Sequence, residues 1–163
     1  MRSNNPGFKF LLQYWQKYCV LEDWHLQWAK RNIYVPKKLQ RGHILYMDSE
    51  YQKNVYLVAK GMLARIQLDE EGSKRRILNL ATPGMAFMTT LHLYNQTPSK
   101  GDIIVLHPRT TVIEIPYKAI LDFKEQEPQL NTLINVLNNK KKKQLATLLL
   151  LYQEMIWIFY KKF

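Results

Sequence analysis

Between residues 33 and 115 the chain repeats one device, a short run rich in Val, Ile, Leu, Tyr and Thr followed by a turn. The runs are IYVP, HILYMD, NVYLVAKGMLARIQLD, RRILNLA, DIIVLHP and TTVIEIP. Strands this short and this evenly spaced fit an antiparallel sandwich or barrel, because parallel neighbours would need long crossovers between them. The turn chemistry agrees. LDEEGSKR is a hairpin connection in which Gly72 supplies positive φ, and Pro83-Gly84 is a second turn. Gly61, inside VYLVAKGMLARI, marks a bend or bulge within a long stretch of strand.

On either side the period changes to that of a helix. Phe8, Leu11, Leu12, Trp15, Tyr18 and Cys19 recur at three- and four-residue intervals, Leu21-Glu22-Asp23 breaks the pattern, and a second short helix follows. Trp15, Trp24 and Trp28 read as core anchors on these helices and not as a base-stacking platform. After Pro116, PYKAILDFKEQEP starts a short helix with Ile120, Leu121 and Phe123 inward. The remainder reads as one long helix of roughly 30 residues without internal Gly or Pro. Its segment LATLLLLYQEMIWIF is apolar on nearly every face, yet shorter than the roughly 20 apolar residues of a membrane span. Such a helix needs cover on more than one side, and a second copy supplies it. Leu145, Leu148, Leu149, Tyr152, Ile156 and Phe159 are the expected homodimer interface.

The fold expected is therefore mainly β with flanking helices: an antiparallel double-stranded β-helix or jelly roll, N-terminal helices and a long C-terminal helix. Two units are expected, residues 1–116 with the N-terminal helices and the roll, and residues 117–163 with the C-terminal helices.

The 163 residues carry 24 Lys and Arg against 13 Asp and Glu, a net charge of +11. A surplus of this size suits a nucleic-acid-binding protein, which is the alternative reading, but the basic clusters KRNIYVPKKLQR, SKRR and NKKKK are read first as solvated faces. Cys19 is the lone cysteine and the four histidines are dispersed, so neither a disulfide, a cysteine-held cluster nor a metal site is expected. MRSNNPG lacks the apolar run of a secretory signal, and a cytoplasmic setting is the expectation. Ser99, His92 and Asp102 sit in no nucleophile-elbow context, so no catalytic residue and no enzymatic activity are expected.

LQRGHILYMDSEYQKNVYLVAKGMLARIQLDEEGSKRRILNLATPG holds a basic-Gly-x-x-Leu opening, Tyr56-Leu57-Val58 before Gly61, the Glu71-Gly72 hairpin and Pro83-Gly84. In this order, with QTPSK and TTVIEIP after them, the chain resembles the sensory half of the Crp/Fnr family of transcription regulators, which carries a cyclic-nucleotide-binding-type β-roll. The resemblance implies a Gly-Glu pair for the ribose and an Arg-Ser or Arg-Thr pair for the cyclic phosphate. Counting back from TTVIEIP, Thr89-Thr90 takes the first place and Lys100-Gly101 the second, with Ser99 one residue away. No Asp or Glu lies between Glu71 and Asp102, and Lys100 is a point charge where the family has a two-pronged guanidinium. The cassette is thus degenerate toward cyclic AMP (cAMP), and the expected effector is another small anion or none. The resemblance also implies a DNA-reading helix-turn-helix after the long helix. DNA is expected as a partner only if such a module is supplied beyond Phe163.

Overall fold

In the computed structural model, which describes residues 5–48, 50–69, 71–72, 74–87 and 100–126, helix α1 (Pro6–Trp15) starts from Asn5. The Asn5 side-chain oxygen accepts hydrogen bonds from the backbone N–H of Gly7 at 2.9 Å and of Phe8 at 3.3 Å. Those donors have no partner inside the helix, and Pro6 sits where a missing N–H costs nothing. Helix α2 (Asp23–Asn32) starts with the Glu22 N–H donating to His25 Nδ1 at 3.0 Å. Asp23 in its first turn and Lys30 and Arg31 in its last suit the helix dipole.

Among the described residues seven strands follow: β1 (Ile44–Tyr46), β2 (Asn54–Lys60), β3 (Leu63–Leu68), β4 (Arg75–Ala81), β5 (Ala86–Phe87), β6 (Asp102–Val105) and β7 (Thr111–Pro116). They form a four-stranded sheet in the order β1-β6-β3-β4 and a three-stranded sheet in the order β5-β2-β7. Every pairing within the two sheets is antiparallel. This is the mainly β architecture expected, with helices flanking it. IYVP contributes no strand of its own, only a bridge from Tyr34 to Glu114, because α2 ends at Asn32 immediately before it.

The three-stranded sheet is covered on both faces. Val55 and Leu57 of β2 and Ile113 and Ile115 of β7 pack against α1, α2 and a third helix, α3 (Tyr117–Gln126). Their neighbours Tyr56, Val58 and Val112 point the other way, into the space between the sheets, where Leu63, Phe87, Ile103 and Val105 meet them. Period-two alternation thus distributes one continuous apolar run between two cores. Gly61 (φ +81°) lies at the corner where the chain passes from β2 in one sheet to β3 in the other, and not within one continuous strand. A Cβ there would come within 2.8 Å of the Thr110 Cα, so the corner also needs the space. Gly72 (φ +68°) turns the β3–β4 hairpin, as its sequence indicates.

Phe123 joins the flanking helices. Its ring is stacked on Trp28 at 4.4 Å between centroids, and Trp24 and Trp15 approach it at 5.1 and 5.5 Å. The tryptophans are core anchors, as expected. No helix among the described residues is long and apolar enough to cross a membrane. The expected long C-terminal helix, with Leu145, Leu148, Leu149, Tyr152, Ile156 and Phe159, lies outside the described residues.

Since Phe123 is 1% exposed and shared by three tryptophans, Phe123→Ala is expected to destabilise the chain by about 3–5 kcal/mol. Urea denaturation followed by circular dichroism measures it. Val20→Ala, at a position 85% exposed, serves as the control and should stay within about 0.5 kcal/mol of the parent.

Candidate functional site

Phe87 closes β5, and Lys100 and Gly101 precede β6. They flank the segment to which sequence assigns Thr89, Thr90 and Ser99, three residues outside the described set. Gly101 has φ +85°, and a Cβ on it would fall 2.9 Å from the carbonyl oxygen of Ile66. Both the backbone conformation and the close approach require glycine. Lys100 is exposed, and its backbone carbonyl meets the guanidinium of Arg65, accepting from Nη1 at 3.3 Å.

Arg65 stands two residues after Leu63 on β3, so the two share the face that looks into the roll, and the strand is irregular immediately after Arg65. Its Nη2 donates to Gln52 Oε1 at 2.7 Å. Its Cζ lies 5.5 Å from the ring centres of both Tyr46 and Phe87, within range of a cation–π contact. Gln52 is buried, and its Nε2 donates to the carbonyls of Asn54 and Phe87, each at 2.9 Å, and to the Tyr117 hydroxyl at 3.3 Å. One hydrogen-bonded pair therefore ties Phe87 to Lys100 across the roll. A buried polar group that loses its partner costs about 1–3 kcal/mol, so neither Gln52 nor Arg65 is replaced cheaply.

Burial governs the electrostatics here. Desolvation lowers the Arg65 pKa, and the nearby Tyr46, Tyr117, Asp48 and Tyr56 act in the opposite direction. An arginine still keeps its charge at neutral pH. Tyr56 is pushed up to about 12 by burial first and by Glu114 second. It serves as a neutral donor, its hydroxyl bonding the Leu45 carbonyl at 2.7 Å. Glu114, opposite Tyr56 in the β2–β7 ladder, is itself raised by burial. Among the described residues no cluster of His, Cys, Asp and Glu is arranged to hold a metal ion.

Sequence reasoning singled out Lys100 and Gly101 and passed over Arg65 and Gln52. The signal available was the parity of Arg65 with Leu63 in LARIQL. That parity is obscured because Leu63 and Ala64, on opposite faces, are both fully buried.

The two antiparallel sheets with helices packed against them have the architecture of the cyclic-nucleotide-binding type of domain. The sequence profile of the cyclic nucleotide-binding domain matches residues 36–127, and the chain belongs to that family. No curated protein sequence matches the chain. Solved structures of similar fold include DNR from Pseudomonas aeruginosa, with TM-score 0.66 and 15% identity, over 91% of this chain and 65% of that one. The catabolite activator protein of Thermus thermophilus gives TM-score 0.58 and 17% identity, over 83% of this chain and 62% of that one. The regulatory domain of Toxoplasma gondii PKA, solved with cAMP, gives TM-score 0.58 and 16% identity, over 74% of this chain and 46% of that one. The chain thus spans less than two thirds of each of these proteins.

The raised pKa of Glu114 has a stability consequence whose sign is fixed. The folded state favours the protonated carboxyl, so stability falls as pH rises from the unfolded value, about 4.3, through the higher folded one. Glu114→Gln is therefore expected to melt at a higher temperature than the parent near neutral pH. The advantage should fade as pH drops below about 4, where the parent carboxyl is protonated in both states. Thermal melts at the two pH values check it.

Proposed function

We propose that this chain is the sensory domain of a Crp/Fnr-like transcription regulator, that it works as a dimer, and that its effector is a small anion and not cAMP. The observation that carries this reading is Arg65, a guanidinium inside the roll held by neutral oxygens and two aromatic rings. A roll interior of this kind favours negative charge. The absence of any Asp or Glu between Glu71 and Asp102 removes the carboxylate that the family uses for a ribose. In this reading the division is one of role: residues 1–116 receive the effector, and residues 117–163 pair two copies and pass the signal on.

A second reading, a nucleic-acid-binding protein acting through its basic surface, has one specific observation in its favour. Lys74, Arg75 and Arg76 gather with Gln67, Leu68 and Asp69 around a cleft at the tip of the β3–β4 hairpin. Steeply salt-dependent binding of random-sequence DNA or RNA would favour it. The charged interior of the roll has no part in that reading, and the sensory one is preferred for this reason.

Calorimetric titration with cAMP and cyclic GMP is expected to give no micromolar binding. Micromolar binding that Lys100→Ala abolishes would restore the family's own ligand.

Dimerisation follows from the apolar circumference of residues 145–159, since each large apolar side chain left in water forgoes about 1.5–3 kcal/mol. Lys140 to Lys143 would double their charge across a two-fold axis, which places close contact after them. Light scattering is expected to give a dimer at micromolar concentration and a smaller species for Leu149→Glu. A monomeric parent refutes the pairing.

A further inference from the structure

We propose that Arg65 is the residue that recognises the effector, taking a carboxylate or phosphate group of a small ligand in a two-point contact inside the roll. The inference rests on the sensory reading and goes further by naming the receiving group. The cation comes from the middle of β3, whereas the family resemblance points to Lys100, whose side chain is exposed.

Four observations converge on it. A guanidinium has five N–H donors, and Arg65 engages two acceptors among the described residues, the Gln52 amide oxygen and the Lys100 carbonyl. Both hydrogen-bond acceptors are neutral, so exchange of the 3.3 Å carbonyl contact for an oxyanion gains a charge-assisted bond. Tyr46 and Phe87 flank the guanidinium, and Gln52 fixes one of its nitrogens, so the donor fork is oriented before a ligand arrives. Arg65 is partly buried, which thins the competing water and strengthens a charged contact relative to one on the open surface.

The same surroundings limit the ligand. Asp48 is the carboxylate whose field acts on Arg65, and Glu114 lies across the ladder from Tyr56. A singly charged oxyanion is therefore preferred over a strongly charged polyphosphate. The site asks for two oxygens on one centre and makes no use of a ribose.

The test titrates inorganic phosphate and benzoate separately into the full chain by calorimetry at constant ionic strength. It is run on the parent, Arg65→Lys and Arg65→Gln. At least one probe is expected to bind the parent, with affinity down at least tenfold in Arg65→Lys, which keeps charge but loses the fork, and no binding in Arg65→Gln. The probe that binds separates a phosphate-bearing from a carboxylate-bearing effector. In parallel, the Arg65 Nε–H resonance of the 15N-labelled parent is followed during titration, which needs no variant to fold. It should shift and saturate at the concentration that calorimetry gives. Affinity unchanged in Arg65→Gln, an unmoved resonance, or no binding of either probe overturns the assignment. Those results are distinct from the failures of the sensory reading, which are a monomeric parent and Lys100-dependent cAMP binding.

Discussion

Two-sided burial of the β5-β2-β7 sheet is the constraint on which the other features rest. A sheet with one wet face tolerates polar residues at every second position, and β2 has no such freedom, since Val55 to Val58 are all buried. Its outer face requires helices and its inner face requires a second sheet. The helices meet the first demand with Phe8, Leu11, Trp15 and Phe123, and the β1-β6-β3-β4 sheet meets the second with Leu63, Ile103 and Val105. Neither core is closed without the strand between them.

Within the inner core, Arg65 and Gln52 are the exception to apolar packing. They are tolerable because each satisfies the other and because backbone carbonyls take up the remaining donors of Gln52. Position matters here more than chemistry. The acceptors include the last described residue before the segment 88–99 and the first described residue after it, so a structural brace and a recognition group occupy the same place. A charge placed there is felt at both ends of that segment, whatever it binds.

How much of this was legible in the sequence depended on whether a signal was local. Gly72, Gly84 and Gly101 all have positive φ, and the two that belong to PG and EEG contexts announce themselves as turns. Gly61 announces a departure from regular strand but not its kind, because a bend and a change of sheet use the same residue. The helical period of α1 and of Ile120 and Phe123 was readable, since one face of each is buried. The strands gave their extent but not their faces: burial on both sides erases the alternation by which an inward arginine is recognised. Gln52 was invisible for a related reason. Its role is set by contacts to Phe87, 35 positions on, and to Tyr117, 65 positions on.

The clustering of three tryptophans around Phe123 carries a practical consequence. Trp15 and Trp24 belong to α1 and to α2, Trp28 also to α2, and Phe123 to the helix that leads out of the roll. Any rearrangement that slides α3 against the N-terminal helices alters the surroundings of all three indoles at once. The fourth indole, Trp157, lies at the far end of the chain. The protein thus carries its own optical gauge at the junction between the roll and the segment that follows, and ultraviolet emission reads that junction without any attached dye.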